Sequence, residues 1–491
     1  MSYTFKGVSP SPELLRDTAF IAGDWVSAAD GRTFAVTDPS CGEIIRHVPD
    51  LSREDTRKAI DAAHAAQKLW ADETAETRAD VLRRFHDLVM KHQEDLARIL
   101  TAEMGKPLQE ARGEITYGAS YLLWFAEEAR RVYGDTIPAH RKDARIMVLR
   151  QPVGVVAAIT PWNFPSAMPC RKFAPALAAG CAVVFKPAME TPLSALALAA
   201  LGERAGLPRG VLSVITTSDS RAFGAEVCEN PLVSKLTFTG STQVGRLLMA
   251  QAAPKIMKLS MELGGNAPFI VFDDADVDAA VDGCIQSKFR NNGQTCVCTN
   301  RIYVQDGVHD VFVEKLTEAV ARLNVGSGMD PRTDLGPLIS EAACDKFETH
   351  IADAVEKGAR ILTGAPTRLP QGTFVQPTVL SGLSSDMLVA TEETFAPLAP
   401  VFRFSDEDEV VRMANDTEFG LASYFYANNL NRVWRVAERL AFGMVGVNTG
   451  LISTAVAPFG GIKQSGFGKE GSKYGLDDFL TMKYVCLGGI A

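Results

Sequence analysis

The feature that most limits what this chain can fold into is an alternation of short apolar runs and helix-like segments that begins at Val153. Apolar runs at 153–159, 182–185, 211–215 and 235–238 are separated by segments 168–179, 192–205, 221–228 and 242–252 with helical character. Strands joined through helices lie parallel and cross over right-handedly. The pattern therefore predicts a doubly wound α/β sheet that takes its ligands at the carboxyl ends of its strands. The alternation resumes with Phe269-Ile270-Val271-Phe272, a helix over 277–289 and a strand from Ile302, which implies a second α/β unit. A chain of 491 residues has room for two or three units.

Ahead of Val153 the sequence is mostly helical. Ser52-Arg53-Glu54-Asp55 resembles a capping box, opening a helix with Ala59, Ala62, Ala66 and Leu69 on one face. A second helix is predicted over 78–100, closed by Gly105-Lys106-Pro107, and a third over 108–133. Ile146-Met147-Val148-Leu149 reads as a strand out of register with the run from Val153, part of a small separate element.

Fifty basic against 59 acidic residues give a net charge of -9, which argues against a nucleic-acid partner. No run reaches the roughly 18 consecutive apolar residues of a membrane span. The nine cysteines, scattered from Cys41 to Cys486 without a repeating spacing, fit a reducing compartment, so a cytoplasmic setting is expected.

Chemistry concentrates in Phe289-Arg290-Asn291-Asn292-Gly293-Gln294-Thr295-Cys296-Val297-Cys298-Thr299, a polar stretch that reads as a loop presenting a thiol. Gly293 allows the turn, and the Asn and Gln residues offer amide donors. Such a thiol is a nucleophile, a metal ligand, a redox sensor or a small buried hydrophobe. Metal binding is disfavoured, because no second Cys or His pair stands at ligand spacing.

Other candidates fall at strand ends. Asn163 in Pro161-Trp162-Asn163-Phe164-Pro165 is an oxyanion donor or a turn residue. Lys186 is a nucleotide ligand or a solvated cation. In Gly240-Ser241-Thr242-Gln243-Val244-Gly245 a glycine turn opens a helix whose N-terminus suits a phosphate, although Thr242 replaces the middle glycine of the usual dinucleotide fingerprint. Glu262, between apolar residues and a glycine pair, is a general base raised by burial or a paired structural carboxylate. Thiol, oxyanion donor, base and hydride acceptor together make one mechanism.

These motifs, in this order and over nearly the whole chain, resemble the aldehyde dehydrogenases. Asn163 in PWNFP, Lys186 in KPA, Gly240 and Gly245 in GSTxxG, Glu262 in MELGG, Cys296 in GQTC, and Glu393 and Phe395 in EETFAPL fall on the family's motifs, with Ala396 where the family usually has Gly. The segments FRNNGQTCVCTNR, LGGNAPFIVFDDAD, ANDTEFGLA and APFGGIKQSGFGKEGSKYG are most similar to the succinate-semialdehyde branch.

The resemblance implies two doubly wound Rossmann-type domains plus a small β oligomerisation element. Residues 1–128 with 151–262 would bind cofactor, 263–462 would be catalytic, and 129–150 with 472–491 would pair across subunits in a homodimer or homotetramer. It further implies that Cys296 attacks the aldehyde, that Asn163 and the Cys296 N–H hold the oxyanion, and that Glu262 activates the water that hydrolyses the thioester. Trp162, Lys186, Met189, Gly240, Ser241, Gly245, Glu393 and Phe395 would form the cofactor site, and Arg171, Arg290 and Ser453 would bind a distal carboxylate. Guanidinium groups suit that task through paired, charge-assisted hydrogen bonds.

Many NAD-using relatives carry Glu three residues after the lysine. Met189 at that place favours NADP over NAD, with Glu190 one residue later as a substitute. Glutarate semialdehyde, one methylene longer, is the nearest rival substrate. An inactive binding relative is the remote one. Cys298 is expected to form a protective disulfide with Cys296 under oxidation.

Overall fold

The alternation from Val153 onward folds as the centre of an eight-stranded sheet in the computed structural model, which describes Phe5 and residues 9–365, 367–370 and 372–490. Its order runs Gly466–Phe467, Lys258–Glu262, Val233–Thr239, Val155–Ile159, Ala182–Lys186, Leu212–Val214, Ala19–Ile21, Asp24–Val26. The five strands from Lys258–Glu262 to Leu212–Val214 are parallel and the edges antiparallel. Val155, Val156, Ala157 and Ala158 are buried in succession, the pattern of a parallel strand covered on both faces.

A second sheet has seven strands. Its order is Arg360–Thr363, Thr378–Ser381, Leu398–Phe404, Thr299–Gln305, Ala267–Val271, Ala422–Tyr426, Met444–Val447, all parallel except the first pairing. The chain thus has the two doubly wound α/β sheets that its sequence predicts.

The out-of-register strand belongs to a third, antiparallel sheet. Ala144–Pro152 pairs along its whole length with Leu480–Gly488, from Leu480↔Pro152 to Gly488↔Ala144, and Asp135–Ile137 adds to its other side. These pairings are made within one chain. The edges this sheet leaves open to another subunit are Leu480–Gly488 and Asp135–Ile137, not the contact between the two long strands.

The structure departs from the sequence-based expectation in three places. Ser52 does form a capping box with Asp55, but the buried face of Arg53–Asp72 is Thr56, Ala59, Ile60, Ala63 and Trp70, and Leu69 is 74% exposed. Trp70 claims the inner position because its indole N–H donates to Leu177 O at 3.0 Å. The helix predicted over 78–100 is two helices, Ala75–Lys91 and Gln93–Met104, hinged at His92, whose N–H closes the first. The irregular N-terminal region contains paired strands, Ala19–Ile21 with Asp24–Val26 and Thr33–Thr37 with Ile44–Pro49.

One helix matters most for the site. Every residue of Ala167–Ala179 is buried, so its two cations need partners. Arg171 and Lys172 both reach Glu470, Lys172 at 2.8 Å, and Lys172 also donates to Thr237 Oγ1 at 3.1 Å. Among the described residues no helix is long and apolar enough to cross a membrane, and no group of three or more His, Cys, Asp or Glu is placed to hold a metal.

Candidate active site

The thiol loop gets its shape from three successive residues in the left-handed region: Asn291 (φ 52°), Asn292 (φ 54°) and Gly293 (φ 73°). Asn tolerates this region better than most residues. Gly293 is required twice over, because a Cβ there would also lie 2.3 Å from Ala396 O.

The loop amides serve its own architecture rather than a ligand. Asn291 Nδ2 donates to Asn163 O (3.0 Å) and Gln294 O (3.1 Å), Asn292 Nδ2 to Gly336 O (2.7 Å), and Gln294 Nε2 to Pro337 O (3.3 Å). From the helix Leu108–Ala129, Glu110 Oε2 accepts the Asn291 N–H at 2.8 Å. Nearby, Lys106 Nζ pairs with Glu114 at 2.5 Å and donates to Asn163 O at 2.8 Å, and Glu114 accepts the N–H groups of Ser166 and Ala167.

Two cavities meet at the loop. The first, about 280 Å³, is lined by Lys106, Glu110, Glu114, Phe164, Arg171, Arg290, Cys296, Ser453 and Phe459, among others. The second, about 230 Å³, lies against Trp162, Asn163, Thr239, Gly240, Ser241, Leu263, Glu393 and Phe395. Cys296 and Met168 are the residues common to both walls. Cys296 is half-buried and burial pushes its thiol up to about 12, which keeps it protonated at neutral pH. Its backbone N–H has no hydrogen-bond partner among the described residues.

Asn163 is buried and donates one amide N–H to Gln294 O at 3.0 Å, leaving the second free. Glu262 lines neither cavity. Its carboxyl lies by Gly460, neither oxygen is hydrogen-bonded, and burial, reinforced by Glu470, holds it well above the usual carboxylate range. Cys298 is buried too, its sulfur against Lys288 O at 3.6 Å, and it lines neither cavity.

The second cavity brings together aromatic rings, a carboxyl and a helix N-terminus. Trp162 and Phe395 meet edge to face at 5.6 Å, with Phe395 itself left-handed at φ 57°. Glu393 accepts the Gly265 N–H at 3.2 Å, and burial raises its carboxyl to about 7. Thr239 Oγ1 is buried without a partner, and Ser241 caps the helix Thr242–Ala252, whose N-terminus offers N–H groups to a phosphate.

Three residues expected at the cofactor lie outside this cavity. Gly245 is a packing glycine, since a Cβ would lie 2.5 Å from Leu263. Lys186 donates to Pro187 O at 3.1 Å, with burial lowering its ammonium to about 8 against the opposing charge of Glu190. Met189 is 41% exposed.

In the first cavity Arg171, Arg290 and Ser453 do come together. Arg171 is already paired with Glu470 and covered by the Phe459 ring at 4.0 Å. Arg290 is half-buried, 5.7 Å from the Phe164 ring, and no carboxylate lies within ion-pair distance of it among the described residues. Sequence reasoning missed Lys106, Glu110, Glu114 and Glu470. The spacing of Glu110 and Glu114, four apart on one helix, was the available signal.

Cys296 thus stands where a cavity lined by Trp162, Glu393, Phe395 and a helix N-terminus meets one lined by Lys106, Arg171 and Arg290. Residues 25–485 match the model of the aldehyde dehydrogenase family, and the chain belongs to that family. It is an NAD(P)-dependent aldehyde dehydrogenase.

The chain is 61% identical over 478 residues to a glutarate-semialdehyde dehydrogenase of Pseudomonas aeruginosa, covering 97% of this chain and 99% of the relative. It is 58% identical over 475 residues to an NADP(+) succinate-semialdehyde dehydrogenase of Escherichia coli, covering 97% and 98%. The crystal structure of a succinate-semialdehyde dehydrogenase from Burkholderia pseudomallei superposes with a TM-score of 0.97 at 59% identity, over 98% of this chain and all of that one.

Proposed function

We propose that this enzyme oxidises succinate semialdehyde to succinate, with glutarate semialdehyde the second substrate to consider. The observation that carries the reading is the position of Cys296, shared between a cavity lined by Trp162, Glu393 and Phe395 and one walled by Arg171, Arg290 and Ser453. A semialdehyde placed in the latter points its carboxylate at guanidinium groups and its carbonyl at the thiol.

Cys296 Sγ adds to the carbonyl carbon as its proton passes to the Glu262 carboxylate, directly or through water. The resulting oxyanion is held by the free Asn163 amide N–H and the unpaired Cys296 N–H. A bound nicotinamide dinucleotide would supply the acceptor for the hydride lost from the former aldehyde carbon. Trp162, Gly240, Ser241, Glu393 and Phe395 would hold it, Lys186 and Met189 would contribute from outside this cavity, and Gly245 would support the helix Thr242–Ala252.

Glu262, in its ionised form, takes a proton from water as that water attacks the Cys296 thioester, and the thiol leaves. To do so its side chain turns from Gly460 toward the sulfur, which the absence of any hydrogen bond to its oxygens permits. Met189 in place of a carboxylate supports NADP as the better cofactor. The 1–128 and 151–262 segments form the cofactor unit and 263–462 the catalytic one.

Exposed Met482, Tyr484 and Leu149 on the third sheet support its use between subunits of a dimer or tetramer. The nine unpaired cysteines support a reducing, cytoplasmic setting. A panel of succinate, glutarate and uncharged aldehydes with either cofactor tests the reading. A preference for uncharged aldehydes refutes it.

A further inference from the structure

The first cavity carries three cations in its wall, and each has a carboxylate near it. Two of the pairs are closed: Lys106 with Glu114 at 2.5 Å and Arg171 with Glu470. The third is open. Glu110 lines the same cavity as Arg290, yet the two do not form an ion pair; Glu110 Oε2 instead accepts the N–H of Asn291, the residue next to Arg290, at 2.8 Å. Glu110 Oε1 has no hydrogen-bond partner among the described residues. The left-handed conformation of Asn291 and Asn292 fixes where that N–H points, and the contacts of Asn291 Nδ2 to Asn163 O and Gln294 O hold the turn in place.

The consequence is a guanidinium left available to an incoming anion, with a carboxylate fixed beside it. Charges that face Glu110 are those of Lys106, Arg290 and Glu114. Lys106 acts on Glu110 more strongly than Arg290 does but is already paired with Glu114, so Arg290 is the cation beside Glu110 that has no ion-pair partner among the described residues.

We propose that Glu110 is a specificity-determining residue of the aldehyde site: a tethered carboxylate that opposes the substrate's own carboxylate at Arg290 and so sets how strongly anionic aldehydes are preferred over neutral ones. The proposal rests on the reading that Arg290 receives the substrate carboxylate. The tether matters as much as the charge, because an untethered Glu110 would swing onto Arg290 and block it.

The test compares kcat/KM for succinate semialdehyde and for butanal, an uncharged aldehyde of the same chain length, at mildly alkaline pH, because burial raises the Glu110 carboxyl. Glu110→Gln keeps the size of the side chain and an oxygen that accepts the Asn291 N–H, so the loop stays tethered while the charge is lost. The ratio of semialdehyde to butanal kcat/KM is expected to rise on the order of tenfold, through a lower semialdehyde KM, as the loss of one screened like charge dictates. Glu110→Asp, which keeps the charge but shortens the reach to the Asn291 N–H, is expected to show no rise in the ratio.

An unchanged or lowered ratio in Glu110→Gln overturns the proposal, as does a rise of the same size in Glu110→Asp. Arg290→Met separates this failure from failure of the underlying reading. If it lowers the ratio while Glu110→Gln leaves it unmoved, only the role of Glu110 is wrong. If Arg290→Met leaves the ratio unmoved, the carboxylate reading falls and the proposal with it.

Discussion

Replacing Arg290 by Met removes a cation that has no ion-pair partner of its own, and this makes its effect readable. A charge-assisted hydrogen bond is worth about 1.5–3 kcal/mol, or roughly 10- to 150-fold in affinity. Arg290→Met should therefore raise KM for succinate semialdehyde by roughly that factor, with little change in kcat, since the lost contact is present in ground and transition states alike. KM for butanal should stay near the parent value.

Arg171→Met should behave differently. Arg171 is 4% exposed and paired with Glu470, so its loss strands a buried carboxylate with Lys172 as its remaining partner. Breaking a buried pair in this way costs about 3–5 kcal/mol of stability. Steady-state kinetics with the two aldehydes and thermal unfolding of both variants distinguish the two arginines. Equal KM shifts for both aldehydes in Arg290→Met, or parent-like stability in Arg171→Met, would refute the reasoning.

The same geometry dictates three further outcomes. Gly245→Ala drives a methyl into Leu263, costing about 1–3 kcal/mol and pressing that side chain toward the dinucleotide cavity, so unfolding temperature and dinucleotide affinity in a fluorescence titration should fall together. Burial raises the Cys296 thiol to about 12, so thiolate appears only as pH rises; iodoacetamide should alkylate it in the dinucleotide-free protein about tenfold faster per pH unit above neutrality, and a plateau below pH ~8 would contradict this. Met189→Glu should lower kcat/KM with NADP more than with NAD, by roughly tenfold if a negative charge then faces the 2′-phosphate. Equal losses with both cofactors would remove Met189 from that role.

What the sequence revealed and what it hid have physical causes. The parallel sheets were legible because strands buried on both faces read as unbroken apolar runs, and because Gly293 and the capping box at Ser52 are local signals. The thiol and Asn163 stood out in local motifs, whereas Arg171 and Arg290 entered only through the family resemblance. The pairing that governs them was not legible: Glu470 lies some three hundred positions from Arg171, and Lys106 closes on Asn163 O from a helix-terminating turn that by itself says only where a helix stops. Gly245 shows the same limit from the other side. The resemblance placed it in the cofactor site, whereas its neighbour Leu263 makes it a packing requirement. Phe395 at φ 57° carries no local sign of its conformation, which depends on the cavity it borders.

The most direct test of the central claim is intact-protein and peptide mass spectrometry on Glu262→Gln mixed with succinate semialdehyde and NADP. With thioester hydrolysis slowed, a single succinyl group is expected on the peptide bearing Cys296, located to that residue by fragmentation, together with one reduced dinucleotide per site. Reduced dinucleotide without an acyl group on the protein, or an acyl group carried by Cys298 instead, would contradict it.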